Sequence, residues 1–332
     1  METFPGQKVT LFTALTSRYP GDLARCIMET PDALEGLGEE RLAPLADWRL
    51  GGGSLAQGLQ NDTVAYLREQ RRKEARRELV QTAPLLDLLA ATEDLRPLAL
   101  KGLDFRARLY PSATRPAGDL DIYVERRKMA RFAEAAEKTG WRLATRGRMG
   151  RRLWRRWNHL IWGKDQTVLE VHYGLTAPGR YNARFGFGVE PIPLDLYGVT
   201  LWVPSKEEAA LFCLVHLCGN HFFDHHLLSV YDIWLLCPGL DWGKLYALAR
   251  KAGLERTVCF AVAYLRCYPT LRGLVPPGEP LRPLRIGSKF LRSRSGGVRA
   301  RSRLLGLYLA DPPIRSLTYV LGHLGERLDI FR

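Results

Sequence analysis

Asp119-Leu120-Asp121-Ile122-Tyr123-Val124 alternates polar and apolar side chains, the period-two pattern of a half-buried strand. Alternate residues of a strand share a face, so Asp119 and Asp121 point one way while Leu120 and Ile122 point into a core. Two carboxylates at this separation repel one another unless a cation lies between them. Mg²⁺ prefers such oxygen ligands and fills the rest of its shell with water and substrate phosphates. An Asp-x-Asp pair is also a common surface pattern, so the flanking sequence has to decide between the two.

Upstream, residues 97–100 form a short apolar run ending at Lys101-Gly102 and read as a second strand. Residues 103–110 read as one or two helical turns, and 111–118 as a loop. Downstream, residues 126–139 are amphipathic and helical, with Gly140 suited to the C-terminal cap. Two further strands follow at 158–162 and 167–173, joined by a turn at Gly163-Lys164-Asp165-Gln166. In the second, Leu169 and Val171 face the core, so Glu170 and His172 share the opposite face. If this strand neighbours the Asp-x-Asp strand, a third carboxylate joins the first two and makes a divided site for two metals. Judged without a family, Glu170 is a solvent-facing strand residue and His172 a partly buried ring with one hydrogen bond.

The flanks are helical. Residues 1–60 read as short helices broken by Pro and Gly, with Gly51-Gly52-Gly53-Ser54 as the clearest break. A helical pattern runs from Asp62 to about Ala91, and Pro84 is expected to divide or kink it. The mixed charges from Arg71 to Glu78 read as a solvated face. Beyond Pro204, helices are expected at 205–219, 226–237, 241–252 and 255–267. The first opens on a capping box formed by Ser205 and Glu208. The expected organisation is an N-terminal helical region (1–95), an α/β core (96–178) and a C-terminal helical domain (179–332). Within the last, residues 271–303 form a basic segment rich in Pro, Gly and Arg.

Composition sets the broad class. The chain has 332 residues, 46% of them hydrophobic and 25% charged, which excludes a wholly disordered protein. No stretch approaches the ~20 apolar residues of a membrane span, and the N-terminus shows no signal-peptide pattern. Six scattered cysteines read as buried thiols rather than a disulfide framework, which points to the cytoplasm. The net charge of +14 suits anionic partners and equally suits simple solubility. From Arg142 to Arg156 there are seven arginines and no acid, interleaved with Trp141, Trp154 and Trp157. That stretch is either a polyanion contact or a solvated hairpin. Cys213, His216, Cys218, His221, Asp224, His225 and His226 fall close together, but their spacing fits zinc poorly.

Several pieces in fixed order resemble a family. The run 98–111, then Arg115, then Gly118 to Val124, then a helix ending at Gly140-Trp141 resembles the uncharacterised bacterial nucleotidyltransferases of the NTP-transferase type 5 group. The resemblance resumes at Leu169-Glu170-Val171-His172-Tyr173, at His216 and His221, at Tyr231-Asp232-Ile233 and at Asp241-Trp242, and covers roughly residues 60–270. It implies the DNA polymerase β type of nucleotidyltransferase fold, a small mixed sheet flanked by helices. Asp119, Asp121 and Glu170 match the catalytic, metal-binding acids, and Gly102 matches the glycine of the phosphate-facing turn. His216 and Asp232 stand where the family has His and Asp, bonded within the helical domain or near the acceptor. The wider superfamily usually carries Gly-Ser ahead of Asp-x-Asp. Here Lys101-Gly102 precedes Leu103, the serine is missing, and the third acid is Glu instead of Asp.

The expected activity is Mg²⁺-dependent transfer of a nucleoside monophosphate from an NTP to an acceptor hydroxyl, with release of pyrophosphate. The acceptor is a small molecule, a protein or an RNA end. Two alternatives keep the fold: an antitoxin-like AMP-transferring regulator of one protein partner, and a nucleotide-binding module with weakened catalysis. Lys101, Gly102, Arg115 and His172 are the candidate nucleotide-binding residues. For Lys101 the alternative is an exposed strand-end lysine, and for Arg115 a loop ion pair with Asp104 or Asp119.

Overall fold

A computed structural model describes residues 4–30, 32–51, 58–144, 159–174, 187, 191–220 and 227–276. Four short helices come first: α1 (Phe4–Thr16), α2 (Pro20–Glu29), α3 (Ala33–Glu39) and α4 (Ala43–Arg49). The long helix α5 (Asn61–Ala91) leads into β1 (Leu98–Leu100), α6 (Lys101–Arg108), β2 (Leu120–Tyr123), α7 (Met129–Lys138) and β3 (Arg142–Leu143). Next come the hairpin β4 (His159–Lys164) and β5 (Thr167–His172) and the hairpin β6 (Ile192–Leu196) and β7 (Val199–Val203). Helices α8 (Lys206–Val215), α9 (Leu227–Leu236), α10 (Trp242–Ala252) and α11 (Glu255–Leu265) follow.

The expected fold class holds: one mixed sheet with helices on its flanks. Its strand order is β3-β4-β5-β2-β1-β7-β6. β2 runs antiparallel to β1 and parallel to β5, and β7 joins β1 in parallel. The sheet therefore continues past residue 178, where the core was expected to end, because the 192–203 hairpin adds its last two strands. β6 is an edge strand, where the missing N–H of Pro193 costs little.

Strand alternation divides the buried side chains between two layers. Ala99, Leu120, Ile122, Leu169, Val171 and Leu201 pack on one face against Leu85, Leu88 and Leu89 of α5 and Phe132 of α7. Leu98, Leu100 and Tyr123 belong to the other layer, which also holds α8, α9 and the N-terminal helices. Asp121 stands on that second face, opposite Leu100 across the β1–β2 pair. Helix α8 starts at the expected capping box, in which Glu208 N–H donates to Ser205 Oγ (3.3 Å) and Ser205 N–H to Glu208 Oε2 (3.1 Å).

Pro84 does not divide α5, which runs unbroken from Asn61 to Ala91. Proline has no N–H to give the carbonyl four residues back. That carbonyl, on Val80, accepts instead from Thr167 Oγ1 of β5 (3.3 Å). Helix α5 corrects a second expectation. Within the run read as a solvated face, Glu74 is buried and paired with Arg106 and Arg77. Glu74, Glu78 and Gln81 also bind the loop before β2: Ala117 N–H donates to Glu74 (3.3 Å) and Ala113 N–H to Glu78 (2.9 Å), while Gln81 Nε2 donates to the Ala117 carbonyl (3.2 Å). Regular i,i+3 and i,i+4 charge spacing does not reveal which side of a helix a loop will cover.

Candidate active site

The site is built on the strand face that turns away from α5. In the parallel register of β2 and β5, Asp121 stands opposite Glu170 and Tyr123 opposite His172. One ligand atom each from Asp121, Glu170 and His172 lies within 4.8 Å of the others. His172 Nε2 is 2.8 Å from Asp121 Oδ1 and 3.6 Å from Glu170 Oε2. With Asp121 ionised, His172 donates that bond, which fixes the carboxylate's orientation.

Lys101 enters from the turn between β1 and α6. Its backbone has φ +39°, a conformation uncommon outside glycine, and its ammonium is 3.2 Å from Asp121 Oδ1 and 2.8 Å from His216 Nε2. It also lies 5.1 Å from the ring centroid of Phe212 on α8. Lys101 is therefore partly buried and engaged, not an exposed strand-end lysine. Helix α8 thus sets Phe212 against Lys101 and His172, the two side chains that hold Asp121, and the Phe212 ring meets the His172 ring edge-on at 5.8 Å.

Electrostatics divides the two central acids. Burial alone would push the Asp121 carboxyl up, but Lys101, His172 and His216 around it hold it well below the usual carboxylate range. Glu170 moves the other way: burial raises it, and the charges of Asp121 and Asp119 raise it further against the pull of His172 and Lys101. Asp121 is thus a fixed anion, and Glu170 a carboxylate with raised proton affinity. Beside them, burial and the neighbouring His172 lower His159 to about 4, so its ring is neutral near pH 7. Asp119 lies just ahead of β2, half-buried, and is outside the group of converging ligand atoms.

Arg115 and Gly102 both take part in packing the loop ahead of β2. Arg115 is buried, and its Nε and Nη2 donate to Asp232 of α9 at 2.9 and 2.7 Å. Tyr110 Oη donates to the same carboxylate at 2.7 Å. Burial alone would lower the Arg115 pKa, and the Asp232 carboxylate overrides it upward. The ion pair expected in the loop thus forms with Asp232 and not with Asp104 or Asp119. Gly102 is buried in the first turn of α6, where a Cβ would come within 3.0 Å of both Ala117 Cβ and Arg115 Nη1. Its missing side chain lets the 111–118 loop lie against α6.

Of the His/Cys group, Cys213, His216 and Cys218 are described, and His221, Asp224, His225 and His226 lie outside the described residues. Burial raises the Cys213 and Cys218 thiols well above their usual range, which disfavours the thiolate that zinc binds. No disulfide joins any of the six cysteines, all of which lie among the described residues. The arginine stretch 145–156 and the basic segment from 277 onward also lie outside the described residues. Among the described residues, no helix is long and apolar enough to cross a membrane.

Comparison with known proteins gives the class. Residues 30–268 match the uncharacterised nucleotidyltransferase family, and the chain belongs to that family. It is accordingly a nucleotidyltransferase, an enzyme class whose substrates are an NTP and an acceptor. No curated protein matches the sequence. Two solved structures of ANT(2″)-Ia are similar at 16% identity. One is a crystal structure in complex with adenylyl-2″-tobramycin, with a TM-score of 0.39, covering 52% of this chain and 96% of that one. The other is a solution structure of the antibiotic-resistance factor, with a TM-score of 0.37, covering 59% and 96%.

Proposed function

We propose that the protein transfers a nucleoside monophosphate from an NTP to an acceptor hydroxyl and releases pyrophosphate, with Mg²⁺ held by Asp119, Asp121 and Glu170. The observation that carries this reading is the register pairing of Asp121 with Glu170, which sets two carboxylates side by side on one sheet face beneath α8. The donor set suits the ion: hard carboxylate oxygens lead it, and His172 is spent on orienting Asp121. Asp119 interacts with Glu170 through its charge and directly precedes β2.

When bound, the metal neutralises the triphosphate and lowers the barrier to in-line displacement. The chain's own residues do the rest. Asp121 stays ionised beside Lys101 and His172 and so keeps a permanent negative anchor for the cation. Glu170, opposite Asp121 in the sheet register, offers a carboxylate oxygen to the proton of the attacking hydroxyl. Lys101, next to Asp121, offers its ammonium to a phosphate oxygen as a point charge. Phe212 of α8 packs against Lys101 and His172 and so limits water around the two side chains that hold Asp121. The reaction is then chiefly one of positioning and charge neutralisation.

The test is incubation with each of the four α-labelled NTPs, Mg²⁺ and a panel of hydroxyl acceptors, with pyrophosphate release as the readout. Label on an added acceptor supports the reading. Intact NTP under every condition, with the nucleotide still bound, leaves a binding module and overturns it.

A further inference from the structure

We infer that Arg41, at the junction of α3 and α4, is a phosphate-binding residue of the nucleotide site whose guanidinium takes the polyphosphate of the bound NTP. This deepens the nucleotidyltransfer reading and rests on it. The residue comes from the N-terminal helices, outside the sheet that carries the acids, and lies inside the region matched by the family.

The backbone is the first observation. Helix α3 closes with Leu42 N–H donating to the Leu37 carbonyl (2.7 Å) and Arg41 N–H to the Gly38 carbonyl (3.1 Å), which leaves Arg41 at φ +59°. Helix ends usually fill that left-handed position with glycine, because a Cβ there is strained. This chain spends an arginine on it. Strained residues persist where the surroundings or the function require them, and the observed outlier is reason to ask what the side chain does.

The side chain answers. Arg41 is exposed, and among the described residues its guanidinium makes no hydrogen bond or ion pair. Nη1 and Nη2 lie 3.8 and 3.9 Å from the point where a Cβ on Gly118 would stand, so the head rests on the residue immediately before Asp119. The neighbouring arginines are each already matched, Arg77 by Glu74 at 2.8 Å and Arg115 by Asp232 at 2.7 Å. The residue is exposed but its guanidinium is partly covered, and that lost hydration lowers the Arg41 pKa; Glu74 and Asp119 oppose the shift, while Arg77 and Arg115 add to it. A cation without a hydrogen bond or ion pair among the described residues, close to other cations and beside the residue that precedes Asp119, is where an anion gains most. The planar fork fits phosphate oxygens, which can at the same time reach a metal on the carboxylates.

Arg41→Gly separates binding from folding, because glycine removes the cation and relaxes the left-handed backbone together. Calorimetric titrations with ATP and with pyrophosphate, each with Mg²⁺, are run beside thermal melts of wild type, Arg41→Gly and Arg41→Lys. The expected result is affinity for both ligands about tenfold to a hundredfold weaker in Arg41→Gly, with an unchanged or higher melting temperature. Arg41→Lys should recover part of the loss. Wild-type affinity in Arg41→Gly overturns the assignment while leaving the nucleotidyltransfer reading intact, and so does a loss of affinity that comes with a fall in melting temperature. A wild-type protein that binds neither ligand overturns both.

Discussion

Arg115 and Asp232 form a buried ion pair, with Nε and Nη2 both donating to the carboxylate, between the loop ahead of β2 and helix α9. They are 117 positions apart in the chain. The pair fixes the approach to Asp119 and Asp121 against the C-terminal helices, and Tyr110 fills a further acceptor site on the same carboxylate.

Removing one member of this pair leaves the other charged and buried. Arg115→Ala should destabilise the fold by about 3–5 kcal/mol, read as a lower denaturant midpoint. Arg115→Met together with Asp232→Leu should recover much of that loss, because neither charge remains to be desolvated. A single mutant as stable as wild type would show that the pair is not closed in solution.

Asp121→Asn preserves the shape of the side chain and removes its charge. Transfer activity should fall by about 100-fold or more, while the far-ultraviolet circular dichroism stays as in wild type. Activity within a few-fold of wild type would mean that the reacting phosphate is not held through Asp121. Glu170→Gln should also lower the rate, and most at the pH where wild-type Glu170 is ionised, since only the carboxylate can accept the hydroxyl proton.

Nucleotide binding should need a divalent cation. A thermal-shift series with ATP, GTP, CTP and UTP is expected to stabilise the protein with Mg²⁺ present and to lose most of the shift in chelator, because the triphosphate otherwise meets Asp121 and Glu170 as like charges. Equal shifts with and without Mg²⁺ would contradict the proposed ligand set.

Asp104 gives a pH dependence of stability. Burial raises its pKa from 3.8 to about 6, against the pull of the adjacent Arg108. A folded pKa above the unfolded one means that the native state binds the proton more tightly. The cost of the charge is therefore fully present above about pH 6 and is relieved as pH falls towards 4. The whole effect is about 3 kcal/mol. Wild type measured against Asp104→Asn should gain relative stability over that window. A difference that stays flat from pH 7 to 4 would place the Asp104 pKa near its ordinary value.

The sequence by itself determined the local pieces. Alternation of polar and apolar residues located β2 and β5 and set Asp121, Glu170 and His172 on the faces away from Leu120, Leu169 and Val171. Ser205 and Glu208 marked the start of α8 to the residue, because a capping box is made within one helical turn. Tertiary structure decided which elements meet. The parallel β2–β5 register, the union of Lys101 with His216, the burial of Glu74 and the bond from Thr167 to the carbonyl freed by Pro84 each join segments far apart in the chain. Propensity and periodicity act over a few residues, whereas these contacts depend on whole elements packing together. A buried Arg115 and an exposed Arg41 therefore look alike in the sequence, and only the fold distinguishes the one matched by Asp232 from the one left beside Gly118.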